Sequence, residues 1–282
     1  LLNTSNLDIL AYIDDLIVVD VPPEYTGAKC SRYLKSNLRN YLSGPFLFVD
    51  TDTIIAESLE DIDKLIEEGI DIAAVKDGHC LFGEMPNYHE IEDRLKKIGW
   101  SDVLNDEIHF NSGVMFVSDS SKTYNFYQKW HDNWLYEFKK GFYYDQLALA
   151  KTNKDLDYVI TEMDGKWNFQ LFWGALRFLH RSKIIHYGGY NEDEPYYFCK
   201  KNILLELKNS GKLTDEMMEH IRHPKEAYVG LTKVVGQNDI NYFRSKLHDE
   251  YLWHPKRFSC LEQIVVFLQY LGKLKRKMLR TE

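Results

Sequence analysis

Cysteine is scarce and scattered. The 282-residue chain has four, Cys30, Cys80, Cys199 and Cys260, with no CxxC spacing among them. That leaves no basis for a disulfide framework or a thiolate zinc site and fits reduced thiols in a cytosolic protein. Excess positive charge is also missing. The formal net charge is −8, so no global basic field recommends nucleic acid as a partner. No apolar run reaches membrane-spanning length, and no signal-peptide pattern opens the chain. Proline numbers only seven, and neither a repeat nor a low-complexity linker interrupts the sequence. There is no initiator Met, since the chain starts Leu1-Leu2-Asn3, which reads as a fragment with further residues upstream. What remains is an ordinary globular composition, 44% hydrophobic, enough for one large domain or a domain with an appendage. Aromatics are plentiful at 14%. Core packing accounts for most of them, the Trp and Tyr residues of 124–144 included, although aromatic-lined clefts also suit sugars.

The most informative stretch is Phe46-Leu-Phe-Val-Asp-Thr-Asp-Thr-Ile-Ile55. A short apolar run after Ser43-Gly44-Pro45 reads as a buried strand. Strand side chains alternate, so Asp50 and Asp52 point the same way. Two neighbouring carboxylates repel, and a divalent cation with a taste for oxygen, Mg²⁺ or Mn²⁺, relieves that repulsion. The ordinary reading is a turn with solvated carboxylates. The metal reading is preferred and implies a phosphorylated substrate.

Around this stretch strands alternate with helices. Residues 7–13 read as a helix end, Leu16–Val19 as a strand, 28–42 as a helix, Ser58–Glu68 as an acidic helix and Ile72–Val75 as a strand. Residues 89–99 and 120–139 read as helices, Phe110–Val117 as a strand opening on turn-like Asn-Ser-Gly, and 144–150 as the start of another helix. Tyr158–Ile160 reads as a strand, Lys166–Gln170 as a loop and Ile184–Gly189 as a strand ending in two glycines. Helices follow at about 196–209, 214–222 with Thr214 as N-cap, 238–250 and 258–280. The expected class is α/β with a mainly parallel sheet: residues 1–195 as the α/β domain, 196–282 as a helical C-terminal region. Arg32, Lys35 and Arg39 share a helix face, ordinarily a solvated one. Asp77 reads as a solvated loop carboxylate, His109 and His180 as structural, Asp145 as a helix N-cap.

In order, Asp-x-Asp, Phe-Asn-Ser-Gly-Val, Asp-Gln, Trp-Asn-Phe and His-x-x-Gly resemble the retaining glycosyltransferase family that includes glycogenin and the bacterial lipopolysaccharide glucosyl- and galactosyltransferases. The resemblance covers about residues 28–190. It implies a GT-A fold, Rossmann-like, using Mn²⁺ (or Mg²⁺) and a nucleotide-sugar donor, commonly a UDP-sugar. It makes Asp50, Asp52 and His186 metal ligands and Arg32 a donor contact. Asn111 becomes a contact to the donor sugar, with Ser112 and Gly113 shaping that wall. Asp145 holds sugar hydroxyls, Gln146 lies beside the anomeric carbon, Asn168 lines the cleft and Gly189 closes the histidine motif. The acceptor would be a glycan or glycolipid, with bacterial surface polysaccharide as the setting.

Two departures stand out. The family's Lys-Pro-Trp after the histidine motif is replaced by Tyr190-Asn-Glu-Asp-Glu-Pro-Tyr-Tyr197, with acids where the lysine belongs. Only 49 residues precede Asp50, too few for the usual base-binding strand and helix. Two other functions compete: a non-catalytic GT-A-like binding module, and a haloacid-dehalogenase-type phosphatase with Asp50 as nucleophile and Asp52 as general acid. The latter matches Val49-Asp-Thr-Asp-Thr53 but leaves the other motifs unexplained. Finally, 256–280 carries seven basic residues against Glu262 and a broad apolar stripe. Packing on the catalytic domain is the ordinary reading. Peripheral contact with an anionic membrane, at its cytoplasmic face, is the other.

Overall fold

The computed structural model describes residues 13–85, 87–173, 176–188, 197–225 and 245–279. Its strands are β1 (Phe46–Val49), β2 (Thr53–Ile55), β3 (Ile72–Lys76), β4 (Phe110–Val117), β5 (Ile160–Glu162), β6 (Phe169–Gln170) and β7 (Ile184–His186). Its α-helices are α1 (Ala28–Ser36), α2 (Asp63–Glu67), α3 (Tyr88–Ile98), α4 (Ser121–Lys139), α5 (Asp145–Asp155), α6 (Lys201–Ser210), α7 (Asp215–Arg222), α8 (Lys246–Trp253) and α9 (Pro255–Leu279).

The strands form two sheets, ordered β1-β4-β3-β5 and β2-β7-β6. The α/β class holds. The expectation of a mainly parallel sheet does not: β4 runs antiparallel to both β1 and β3, and β2 antiparallel to β7. Among the described residues only β3–β5 and β6–β7 are parallel. The segment between β3 and β4 includes α3 and is long enough to return the chain in either direction, so strand–helix alternation did not fix the polarity.

Alternation organises the core. Ile72 and Ala74 on β3 face one apolar cluster with Met115, Trp130 and Leu149. Ala73 and Val75 face another with Phe116, Met163 and Trp167. Both faces of β3 and β4 are covered, which is why each reads as an unbroken apolar run. Helix α4 starts where Ser120 accepts a bond from the Thr123 N–H. It buries Tyr127, Trp130 and Trp134, as expected for a packing role, while Tyr124, Tyr136, Tyr143 and Tyr144 are exposed. His109 is buried and stacks on Phe82 at 3.7 Å.

Several local expectations change. Leu16–Val19 belongs to no strand; Leu16, Ile17 and Val18 are exposed and no described strand lies beside them. The helix at 28–42 breaks at Asn37 into α1 and a 3₁₀ turn, Leu38–Asn40. Residues 58–68 likewise hold a 3₁₀ turn, Glu60–Ile62, before α2. The strand expected at 158–160 begins at Ile160, because Asp157 and Tyr158 sit at positive φ in a turn. The supposed loop 166–170 contains a 3₁₀ turn and β6. Asp145 is the first residue of α5, and Tyr144 is its N-cap. Residues 7–12, 189–196 and 226–244, with Gly189 and much of the helix expected at 238–250, lie outside the described residues.

By compactness the chain divides into Leu1–Val234 and Val235–Glu282. The larger unit takes in α6 and α7 as well as the α/β segments, and Thr214 caps α7 as expected. The smaller contains α8 and α9, which pack on each other. Among the described residues no helix is long and apolar enough to cross a membrane.

Candidate metal centre

The site lies where the chain leaves one sheet for the other. After β1, the Asp50 N–H donates to Gly113 O at 2.7 Å, prolonging the pairing with β4. The Thr53 hydroxyl donates to Asp50 O at 2.7 Å and closes the turn. The chain then enters β2, where Thr53 pairs with His186 in register. The Tyr187 N–H donates to Asp52 O at 2.8 Å. The Asp-x-Asp turn is thus stitched to β4 on one side and β7 on the other.

This brings Asp50, Asp52 and His186 together. One ligand atom from each lies within 4.8 Å of the others. His186 Nε2 is 3.4 Å from Asp52 Oδ1. The imidazole reaches this place because residue 113 is glycine: a Cβ there would stand 2.7 Å from His186 Nδ1 and closer still to Cε1. Two carboxylates and an imidazole are oxygen and borderline-nitrogen donors that suit Mn²⁺ or Mg²⁺.

A second cluster adjoins it. Arg32 Nε is 2.9 Å from Asp145 Oδ1, and the Ser112 hydroxyl donates to Asp145 Oδ2 at 2.8 Å. Gln146 Oε1 accepts from the Ser112 N–H at 3.3 Å, while its Nε2 donates to Phe110 O. Between the clusters stands Lys35, which sequence reasoning placed on a solvated face. It is 4% exposed. Its ammonium lies 3.0 and 2.9 Å from the two oxygens of Asp50 and 3.3 Å from Asp145 Oδ2. Arg39 is buried too, donating to Gly44 O and pairing with Asp119. Of the three, only Arg32 keeps substantial exposure.

Electrostatics follow this geometry. Burial pushes the Asp50 carboxyl up, against the opposing charge and hydrogen bond of Lys35. Burial also acts to raise Asp52, but when His186 is in its imidazolium form its hydrogen bond and attraction outweigh that and hold the carboxyl low. Asp145 is held low likewise, as Lys35, Arg32 and the Ser112 bond overcome its burial. Three carboxylates, Asp50, Asp52 and Asp145, stand against the two cations Lys35 and Arg32, with the His186 imidazole beside Asp52, so with that ring neutral the cluster retains negative charge for a divalent ion to offset.

Asn111 and Asn168 are buried behind His186. Asn168 Oδ1 is 3.0 Å from His186 Nδ1, and Asn168 Nδ2 donates to Asn111 Oδ1 at 2.9 Å. Asn111 Nδ2 donates to Asp77 Oδ1 at 2.9 Å. Asp77, expected in solvent, is buried, and burial raises its carboxyl against the Asn111 bond. Gln170 joins the region by accepting from the Gly78 N–H and donating to Lys76 O, both at 2.9 Å. Lys35, Asp77 and Gln170 were missed. A lone lysine, a strand-end aspartate and a glutamine in a short segment give no sequence signal; their partners lie 15, 34 and 92 residues away.

No family model matches the chain, and no curated protein matches it. Several solved structures show a weak likeness, these two among them. Mouse xyloside xylosyltransferase 1, apo form, is 15% identical with a TM-score of 0.37, over 56% of this chain and 64% of that one. The WbbM bifunctional glycosyltransferase, apo, is 19% identical with a TM-score of 0.41, over 69% of this chain and 37% of that one. The match therefore spans less than two thirds of either protein, and likeness at these scores carries no weight about activity.

Proposed function

We propose that this chain is a metal-dependent glycosyltransferase of GT-A type that moves a sugar from a nucleoside-diphosphate donor, in the first place a UDP-sugar, to a glycan or glycolipid acceptor. The observation that carries this reading is the meeting of Asp50, Asp52 and His186, drawn from two sheets, with ligand atoms within 4.8 Å. A divalent Mn²⁺ or Mg²⁺ held there supplies Lewis-acid stabilisation of the charge that grows on a leaving diphosphate. Arg32 and Lys35 add cationic charge at the same edge, which supports a polyanionic donor despite the missing lysine after the histidine motif.

The reading includes retention of configuration. Asp145 has both oxygens engaged, by Arg32 on one and by Ser112 and Lys35 on the other. A carboxylate so held is a poor nucleophile, better suited to gripping sugar hydroxyls. Gln146 is an amide and poorer still. Same-face attack by the acceptor, with its proton passing to the departing diphosphate oxygen, fits these residues. A glycosyl adduct trapped on Asp145 would overturn this step.

A phosphatase built on Asp50 and Asp52 leaves His186 and the Ser112–Asp145–Gln146 cluster without a role. The deciding experiment incubates the protein with Mn²⁺ and a panel of nucleotide-sugars and measures released nucleoside diphosphate. Release with one donor class supports the proposal. Hydrolysis of simple phosphate esters supports the phosphatase, and neither turnover nor binding supports a non-catalytic binding module. The same reading places the enzyme in the cytoplasm and α9 on an anionic membrane surface, near a lipid-linked acceptor.

A further inference from the structure

We infer that Asn111 and Asn168 are positioning residues that hold the His186 imidazole with its proton on Nδ1, leaving the Nε2 lone pair to a divalent cation. The inference rests on the reading of His186 as a metal ligand, and it gives Asn111 a different task from touching the donor sugar.

One group in the chain of contacts has a fixed direction. The Gly113 backbone N–H can only donate, and it lies 2.9 Å from Asn111 Oδ1. That identifies the oxygen end of the Asn111 amide. The same oxygen receives the Asn168 side chain at 2.9 Å, so the Asn168 atom there must be its NH₂. The other end of Asn168, its oxygen, then faces His186 Nδ1 at 3.0 Å. An amide oxygen only accepts, so the proton is on Nδ1. In a neutral imidazole the second nitrogen is then a bare acceptor. That nitrogen is Nε2, the atom turned toward Asp52. At the far end, Asp77 accepts from Asn111 Nδ2 at 2.9 Å and resists an amide flip. A flip would set Asn111 Nδ2 against the Gly113 N–H, donor against donor in a buried place.

The relay is shielded: Asn168 is 0% and Asn111 8% exposed. Both heteroatoms of the Asn111 amide are engaged, and only one N–H remains for anything else. A metal-binding histidine whose other nitrogen is fixed in this way keeps its ring orientation and basicity.

The test uses the full chain labelled with ¹⁵N at histidine, without metal, at about pH 8, above the ordinary imidazole range. The His186 resonance is assigned by its loss in His186→Gln. A proton on Nδ1 is expected. In Asn168→Leu the Nδ1 acceptor is gone and Asp52 remains beside Nε2, so the proton should move to Nε2. Mn²⁺ affinity, read by electron paramagnetic resonance, should fall about 10- to 100-fold. Asp77→Asn retains an acceptor for Asn111 and should keep both the wild-type tautomer and the affinity. A wild-type proton on Nε2 overturns the inference, as does an Asn168→Leu chain with unchanged tautomer and affinity. If Asn168→Leu fails to fold, the wild-type spectrum decides alone. A chain that shows the expected tautomer yet turns over no nucleotide-sugar leaves the relay standing and sinks the transferase reading instead.

Discussion

Lys35 holds both oxygens of Asp50, at 3.0 and 2.9 Å, from a position 4% exposed. A buried ammonium between two carboxylates is the cation this acidic site already contains. Removing it strands Asp50, while Asp145 keeps Arg32 and the Ser112 hydroxyl. Lys35→Met should lower stability by about 3 kcal/mol, the lower end for breaking a buried pair, because Asp50 keeps 27% exposure. Mn²⁺ should recover part of that loss, up to about 2.7 kcal/mol when present at a hundred times its dissociation constant. Urea denaturation with and without Mn²⁺ reads both numbers. If Mn²⁺ stabilises the variant no more than the wild type, Lys35 and the metal do not share a site.

Gly113→Ala is the smallest change that should empty the centre. The added methyl would meet His186 Cε1 and Nδ1. Because residue 113 lies within β4, the strand can hold alanine, and the imidazole must yield most, with the Asn111 amide oxygen, 2.9 Å from the new methyl, giving way beside it. We expect Mn²⁺ affinity to drop at least about tenfold, the scale for disturbed metal-ligand support. Titration calorimetry beside circular dichroism separates lost binding from lost fold. Unchanged affinity would mean that His186 is not a ligand.

The candidate metal ligands were legible because each has a local signature: Asp50 and Asp52 at a strand end, and His186 before a glycine turn. Also legible were β3 and β4, whose apolar runs are buried on both faces, and β1, whose run is half-buried on both. Strand polarity was not legible, since a long connection containing α3 lets β4 run either way. Lys35 was not legible because a lysine on a helix is ordinarily solvated; only Asp50 and Asp145, brought in by β1 and α5, make its burial tolerable. Asp77 was misread for the same reason, its partner Asn111 being a strand neighbour rather than a sequence neighbour. The site's centre could be read, whereas the groups that orient it depended on tertiary contacts.

Stability should depend on pH through two buried groups of opposite sign. Burial pushes His109 down to about 4. The unfolded chain therefore takes up its proton first, and this contribution is lost as pH falls from 6.5 through 4. Burial, then repulsion from Asp145, pushes Glu137 up to about 8. Here the folded chain keeps the proton, so stability present below 4.5 is lost as pH rises through 8. Between about 4.5 and 6.5 the two slopes oppose each other. Between 6.5 and 8 Glu137 acts without His109, and stability should decline by up to about 1.4 kcal/mol per pH unit from this group. Glu137→Gln should flatten that decline in urea titrations taken at several pH values. A wild-type profile with no decline above pH 6.5 would show that Glu137 is ionised in the fold.

Helix α9 joins an apolar stretch to a basic one. Ile264, Val265, Val266, Phe267 and Leu268 are each at least 50% exposed. Five consecutive helical residues sweep more than a full turn, so apolar surface surrounds the helix there. Lys273, Lys275, Arg276 and Lys277 follow within the same helix. Cations beside an anionic leaflet contribute about 1 kcal/mol each, and buried apolar side chains add to that. The full chain should therefore float with vesicles containing phosphatidylserine and remain behind with neutral ones. High salt should weaken the binding, because the attraction of basic groups is screened. Replacing Lys273, Lys275 and Lys277 by Glu should abolish flotation while leaving the thermal transition of the α/β unit in place, since those lysines belong to the other compact unit. Equal flotation on neutral and anionic vesicles would refute the electrostatic part. No flotation on either would assign the apolar stretch of α9 to protein packing.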